Sequence, residues 1–205
     1  VTNPKPKAVI LIGPQGSGKG EQRKKLTNEL NFISGEMSAA LNWKESIDPE
    51  FAKMSRPLRR QGTLVPGAVD VLVEYLRNQP SSVNIAFDGV PRDLDQAYLL
   101  WKIVSERKMD VSVIILDLDH HHCIERIHQR VQQAMLNGEH VREDDKNVES
   151  IERRLMLYQT NIGGIVAFFE SKEVEGEAKI HRISATPSIE EVAAQVGFFA
   201  THQNS

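Results

Sequence analysis

The sequence predicts an α/β fold in which a parallel sheet is covered by helices on both faces. Three observations carry this. Short, continuous apolar runs recur along the chain, apolar at every position as expected of strands buried on both sides rather than alternating as half-exposed strands do. The principal runs are followed by stretches of helical character, which implies βαβ units with right-handed crossovers. The chemically informative residues cluster just after the runs, and ligands of open parallel sheets bind at the carboxyl ends of the strands.

The elements follow in order. Pro4 and Pro6 open an extended lead-in. Ala8 to Ile12 is the first strand, stopped by Gly13-Pro14, and Lys19 to Leu30 reads as a helix. Phe32-Ile33 is a short, weaker strand candidate. Residues 35–80 carry helical patterns broken by Pro49, Pro57 and Pro66 and show no clear strand. Asn84 to Phe87 and Val111 to Leu116 are further strands, each ending at an aspartate, Asp88 and Asp117. Residues 131–143 are polar with Gly138 in the middle; this stretch and 35–80 read as insertions on the ligand side, of the kind that close over a substrate. Lys179 to Ile183 is the last strand. Ser188 to Phe199 is the last helix, with Ile189, Val192, Ala193 and Val196 on one face.

Composition narrows the function classes. The 205 residues suit one domain with a sizeable core, and 40% hydrophobic with 26% charged residues is ordinary for a soluble globular chain. A net charge of −3 argues against a nucleic-acid partner, which calls for a basic face. With a single cysteine, Cys123, neither an internal disulfide nor a multi-cysteine zinc site is available, and a reducing, cytoplasmic setting is expected. The apolar run at Ala8 to Ile12 is too short for a signal-peptide core or a membrane span.

The sharpest signal is Gly13-Pro14-Gln15-Gly16-Ser17-Gly18-Lys19, which fits G-x-x-x-x-G-K between a buried strand and a helix. Glycines there let backbone N–H groups converge on phosphate oxygens, and the helix start adds its positive end. Lys19 can reach the β and γ phosphates. Gly20 replaces the usual hydroxyl residue, so a direct hydroxyl ligand to Mg²⁺ is missing at that position.

Gly-Lys-Gly is the form found in nucleoside monophosphate kinases, and from here the chain resembles the adenylate kinase family over roughly residues 7–198. Ser34-Gly35-Glu36-Met37 is similar to that family's Thr-Gly-Asp-Met/Leu segment, and Gly62-Thr63-Leu64-Val65-Pro66 to its G-x-Leu-Val-Pro turn. Phe87-Asp88-Gly89-Val90-Pro91-Arg92 resembles Asp-Gly-Phe-Pro-Arg, with Gln96 four residues on. Arg126 through Arg130 is similar to the R-x-x-x-R before the lid, Arg142-Glu143-Asp144-Asp145 to R-x-Asp-Asp, and Arg154-Leu155 to a following Arg-Leu pair with a one-residue shift that leaves Arg153 as a rival.

The resemblance implies a P-loop three-layer sandwich: a five-stranded parallel sheet in one domain, with core 1–34, 81–130 and 144–205, a monophosphate-binding insertion 35–80 and a short lid 131–143. It implies a monomeric, Mg²⁺-dependent phosphotransferase that converts ATP and AMP into two ADP, with no nucleic-acid or membrane partner. ATP would be held by Gly13, Gly16, Ser17, Gly18, Lys19, Gly20, Glu21 and Arg126. AMP would meet Ser34, Gly35, Val65, Gly89, Arg92 and Gln96. Lys19, Arg92, Arg130, Arg142 and Arg154 would carry the transfer, because guanidinium forks bind phosphate bidentately and stay charged. Asp88 would orient water on Mg²⁺.

Two departures leave other readings open. Glu21 stands where the family has threonine, and Ala39 where it has an arginine gripping the AMP phosphate; Lys44, Arg56, Arg59 or Arg60 are candidates to approach instead. The alternatives are a kinase for UMP, CMP or another monophosphate, or an ATP-binding protein with weakened catalysis. His120-His121-His122-Cys123 is read as a solvated helix entry, since consecutive helical side chains do not share a face. Trp43 and Trp101 are read as packing residues.

Overall fold

The computed structural model describes residues 5–60, 65–139, 141, 145 and 147–202. Its strands are β1 (Lys7–Ile12), β2 (Phe32–Ser34), β3 (Asn84–Asp88), β4 (Asp110–Asp117) and β5 (Ala178–Ser184). Its helices are α1 (Lys19–Glu29), α2 (Met37–Ile47), α3 (Pro49–Arg60), α4 (Ala68–Arg77), α5 (Leu94–Glu106), α6 (His120–Leu136), α7 (Val148–Val174) and α8 (Ile189–Thr201). The strands form one parallel sheet in the order β2-β3-β1-β4-β5. This is the α/β sandwich the apolar runs imply. The weak run at Phe32 is a true strand, three residues long at the sheet edge and paired with β3 alone.

The continuous apolar runs are explained by the two cores they separate. Along β1, Ala8, Ile10 and Ile12 join Phe87, Val113, Leu100 and Phe169 on one face. Val9 and Leu11 join Leu26, Ile114, Val192 and Val196 on the other. Helices α5 and α7 thus cover one face, α1 and α8 the opposite one. A smaller cluster of Cys123, Ile127, Ile151 and Leu155 joins α6 to α7.

Local chemistry sets several element ends. Asp93, Asp119 and Ser188 each accept a backbone hydrogen bond at a helix start, and Ser188 with Glu191 forms a capping box. Residues 35–60 and 65–80 contain three helices, α2 to α4, and no strand among those described. Helix α6 continues to Leu136, so the first six residues of the stretch read as lid are helical. Trp43 packs on Tyr75, ring centroids 5.8 Å apart, and Trp101 lies edge-on to Phe168 and Phe169. Both are packing residues.

Candidate active site

The phosphate loop connects β1 to α1 beside the ends of β3 and β4. Gly18 caps α1 in the left-handed region, φ 88°, and Gly16 has φ 87°. At Gly16 a side chain is excluded twice over, since a Cβ would lie 2.8 Å from the Cys123 carbonyl oxygen. The first turn of α6 therefore presses on the loop through backbone.

Lys19 is the first residue of α1 and reaches back across the loop, donating to the carbonyls of Gly13 at 2.7 Å and Pro14 at 2.8 Å. Burial pulls its ammonium pKa down from 10.5 to about 8, opposed by Asp88 and Cys123 and assisted by Arg92 and Arg154. Lys19, Asp88, Arg92 and Arg154 thus form one electrostatic neighbourhood. Ser17 Oγ and Gln15 Oε1 are buried in the loop without a hydrogen-bond partner among the described residues. Glu21 turns to Lys24, 2.9 Å away, with its side chain half exposed.

Asp88 ends β3 alongside Leu11 of β1. A Cβ on Gly20 would lie 3.6 Å from Asp88 Oδ2, so the carboxylate faces the start of α1 closely. Glu36, at the N-cap of α2, makes no capping hydrogen bond with its side chain. These hard carboxylate oxygens beside a phosphate loop fit Mg²⁺, which favours oxygen ligands and keeps several waters.

At the ends of β2 and β3, Gly35 donates its N–H to Ala86 O at 2.8 Å, and Ser34 Oγ is buried without a hydrogen-bond partner among the described residues. Arg92 is exposed and anchored at three atoms. Its Nε donates to Gly89 O at 2.8 Å, its N–H to Gln96 Oε1 at 3.0 Å, and its carbonyl accepts from Asn161 Nδ2 at 3.1 Å. Gln96 also donates to Asp93 Oδ2 at 2.8 Å. It lies on the wall of an apolar cleft, with Met37, Val69, Leu72 and Val90. Val65 is buried in the same core, and its carbonyl accepts from Ala68 N–H.

Arg126 and Arg130 stand one turn apart on α6. Arg126 donates to Thr186 O at 3.2 Å, beyond the end of β5. Arg130 and Arg154 meet on Asp145: Arg130 Nη2 to Oδ2 at 2.6 Å, Arg154 Nη1 to Oδ1 at 2.9 Å. The Asp145 side chain is 2% exposed. Arg153 is exposed, while Arg154 is the one turned toward Asp145 and Lys19. Arg142 lies outside the described residues, as do Gly62, Thr63 and Leu64. In the sequence Asp145 is marked by its place in the acidic pair after Arg142 and, with Glu149, as a nearby carboxylate for an ion pair with Arg154; that it also holds Arg130, and is buried, is not legible there.

A family model described as adenylate kinase matches residues 11–174. An adenylate kinase of Thermus thermophilus is 30% identical over 92% of this chain and 94% of its own length. One from Parabacteroides distasonis is 29% identical over 92% and 94%, and one from Bartonella quintana 30% over 86% and 95%. The chain belongs to the adenylate kinase family.

Family membership sharpens the two departures. The cations considered as stand-ins near Ala39 are committed elsewhere: Lys44 pairs with Glu74 at 3.0 Å, while Arg59 and Arg56 pair with Glu45 at 2.9 and 3.3 Å. Glu45 is held ionised by Ser55, Arg59 and Arg56 against the cost of its burial. Arg60 is exposed. A different guanidinium, Arg23 on α1, approaches the strand ends, with Nε 3.2 Å from Glu36 Oε2 and 3.8 Å from Asp88 Oδ2. Nothing in the sequence marked it.

The histidine run is a helix entry, as read, but His121 and His122 do turn toward Asp119, ligand atoms within 4.8 Å of one another. The convergence is unlike the expectation for consecutive residues and has a local cause. Asp119 caps α6, accepting from His122 N–H at 3.0 Å and meeting His122 Nδ1 at 2.5 Å. Capping already engages both its oxygens.

Proposed function

We propose that this adenylate kinase family member transfers the γ-phosphoryl group of ATP to AMP, giving two ADP. The observation that carries the reading is the convergence of Lys19, Asp88, Arg92 and Arg154 around the phosphate loop, with Arg130 joined to them through Asp145. Phosphoryl transfer asks for positioning and positive charge around the moving group rather than covalent chemistry from the protein.

The loop amides from Gly13 to Glu21, with Ser17 and Lys19, hold the ATP phosphates. Nucleotide phosphates compete with the Gly13 and Pro14 carbonyls for the Lys19 ammonium, and their charge draws its pKa back up. Arg126 contacts the ATP base or phosphates near Thr186. Arg92 grips the monophosphate, its guanidinium oriented by Gly89 and its backbone by Gln96 and Asn161. Gln96 and the Val65 backbone address the accepting base over the apolar cleft. Arg130, Arg142 and Arg154 surround the transferring group, and Asp145 aims two of them. Asp88 and Glu36 are the residues that would hold Mg²⁺, which would supply neutralisation of the phosphate charge there. Residues 131–143 with α6 exclude water on closure, which limits ATP hydrolysis. A monomer in the cytoplasm completes the reading. The free, buried Cys123 suits a reducing compartment, and no helix among the described residues is long and apolar enough to cross a membrane.

A phosphotransfer assay with Mg·ATP and each of AMP, GMP, UMP and CMP tests it, beside a Lys19→Ala control. ADP formation with AMP, lost in the control, is expected. Transfer confined to UMP or CMP would reassign the acceptor; ATP binding with no transfer to any monophosphate would overturn the reading.

A further inference from the structure

The acceptor and metal-side ends of the sheet carry two carboxylates abreast. Strands β2 and β3 pair with Ser34 opposite Ala86, so Glu36 and Asp88, each two residues further on, leave the sheet side by side. Two neighbouring carboxylates repel unless a cation lies between them. In this chain the Arg23 guanidinium does. Arg23 lies one helical turn beyond Lys19 and so on the same face of α1. Its side chain is 15% exposed, with those of Glu36 and Asp88 at 26% and 16%. Its Nε is buried and close to both acids, yet makes no hydrogen bond among the described residues. That is a cation held by charge rather than by fitted donor geometry, and a second cation at the same carboxylates has to displace it or share them.

We propose that Arg23 is a resident counter-cation for the Glu36–Asp88 pair, a positioning residue that keeps both carboxylates apart from solvent cations and sets how tightly this corner takes a divalent metal. The inference builds on the reading of Asp88 as the metal-side carboxylate. Arg23 weakens metal binding by the free protein, so that Mg²⁺ enters with its nucleotide, whose phosphates supply the missing ligands.

The test uses Mn²⁺ as the probe, followed by its electron paramagnetic resonance signal on nucleotide-free protein, so it needs no catalysis. Wild-type protein is expected to bind Mn²⁺ weakly here. Arg23→Met, which keeps the aliphatic stem, and Arg23→Gln should each bind it roughly tenfold or more tighter. Arg23→Lys should stay with wild type, and adding Glu36→Gln to either neutral variant should abolish the gain. The Mg²⁺ concentration giving half-maximal phosphotransfer should fall in the neutral variants. Wild-type protein that already binds Mn²⁺ as tightly as the neutral variants overturns the proposal, and so does a gain that survives Glu36→Gln. An inactive chain that still shows the Mn²⁺ gain would retire the proposed reaction and leave this inference standing.

Discussion

The phosphate loop and the arginine pair between α6 and α7 solve the same electrostatic problem by different means. In the loop, position is set by backbone. Glycines take left-handed conformations, the Cys123 carbonyl abuts Gly16, and Lys19 is tied to two main-chain oxygens. The cost of burying that charge appears in a pKa drawn down to about 8. Between α6 and α7, position is set by one side chain: Asp145, almost fully buried, holds Arg130 and Arg154 together. A site made of backbone is expected to tolerate changes such as Gly20 and Glu21 at its margin. A site strung on one carboxylate does not tolerate loss of that carboxylate.

The largest expected effect is on the backbone-built half. Lys19→Met removes the one charge the loop carries, so about 2–5 kcal/mol of phosphate interaction is lost and kcat/KM falls by about 30-fold or more. The ligand-free Tm should hold or rise, because a buried charge is replaced by an apolar chain of similar length. Steady-state kinetics beside a thermal melt checks both; a large fall in Tm would show that Lys19 is structural.

Next comes Asp145→Asn. It leaves two guanidiniums with a neutral partner. Since Arg130 is 43% exposed, the cost is at the low side of a broken buried pair, about 2 kcal/mol, or about 4–8 °C in Tm. Here the proposed role of the pair around the transferring group predicts that kcat falls more than the KM for ATP rises. Equal effects on both would place Asp145 in ground-state binding instead.

A smaller effect is pH dependence from Lys19. Its folded pKa of about 8 lies below the ordinary 10.5, so between these values the unfolded chain holds more of the proton. Stability of the ligand-free protein should therefore rise across that window relative to Lys19→Met, the reverse of a stabilising ion pair. ATP affinity should fall over the same window as the ammonium is lost, and binding near pH 8 to 9 should take up a proton, visible in calorimetry as a dependence on buffer ionisation heat. The smallest effect is Glu21→Thr. With the carboxylate already taken by Lys24 in an exposed pair, the KM for ATP should change less than about twofold and Tm by less than about 2 °C.

By itself the sequence determined what neighbouring residues decide. Runs such as Ala8 to Ile12 are apolar at every position because both faces of β1 are buried, so strand and parallel topology were legible together. The phosphate loop was legible because its function is local, a few glycines and a lysine between strand and helix. Asp88 and Arg92 were legible because strand ends place them. The tertiary structure decided what depends on distant partners. Asp145 joins residues 15 and 9 positions away across two helices, and nothing local shows that it holds Arg130 as well as Arg154. Lys44, Arg56 and Arg59 were candidates near Ala39 until their pairing with Glu74 and Glu45 was seen. Arg23 was an ordinary helix cation until the packing of α1 on β2 and β3 set it between Glu36 and Asp88. Periodicity reports which face of an element is buried. Which charges meet across the packed faces is settled only when the elements are brought together.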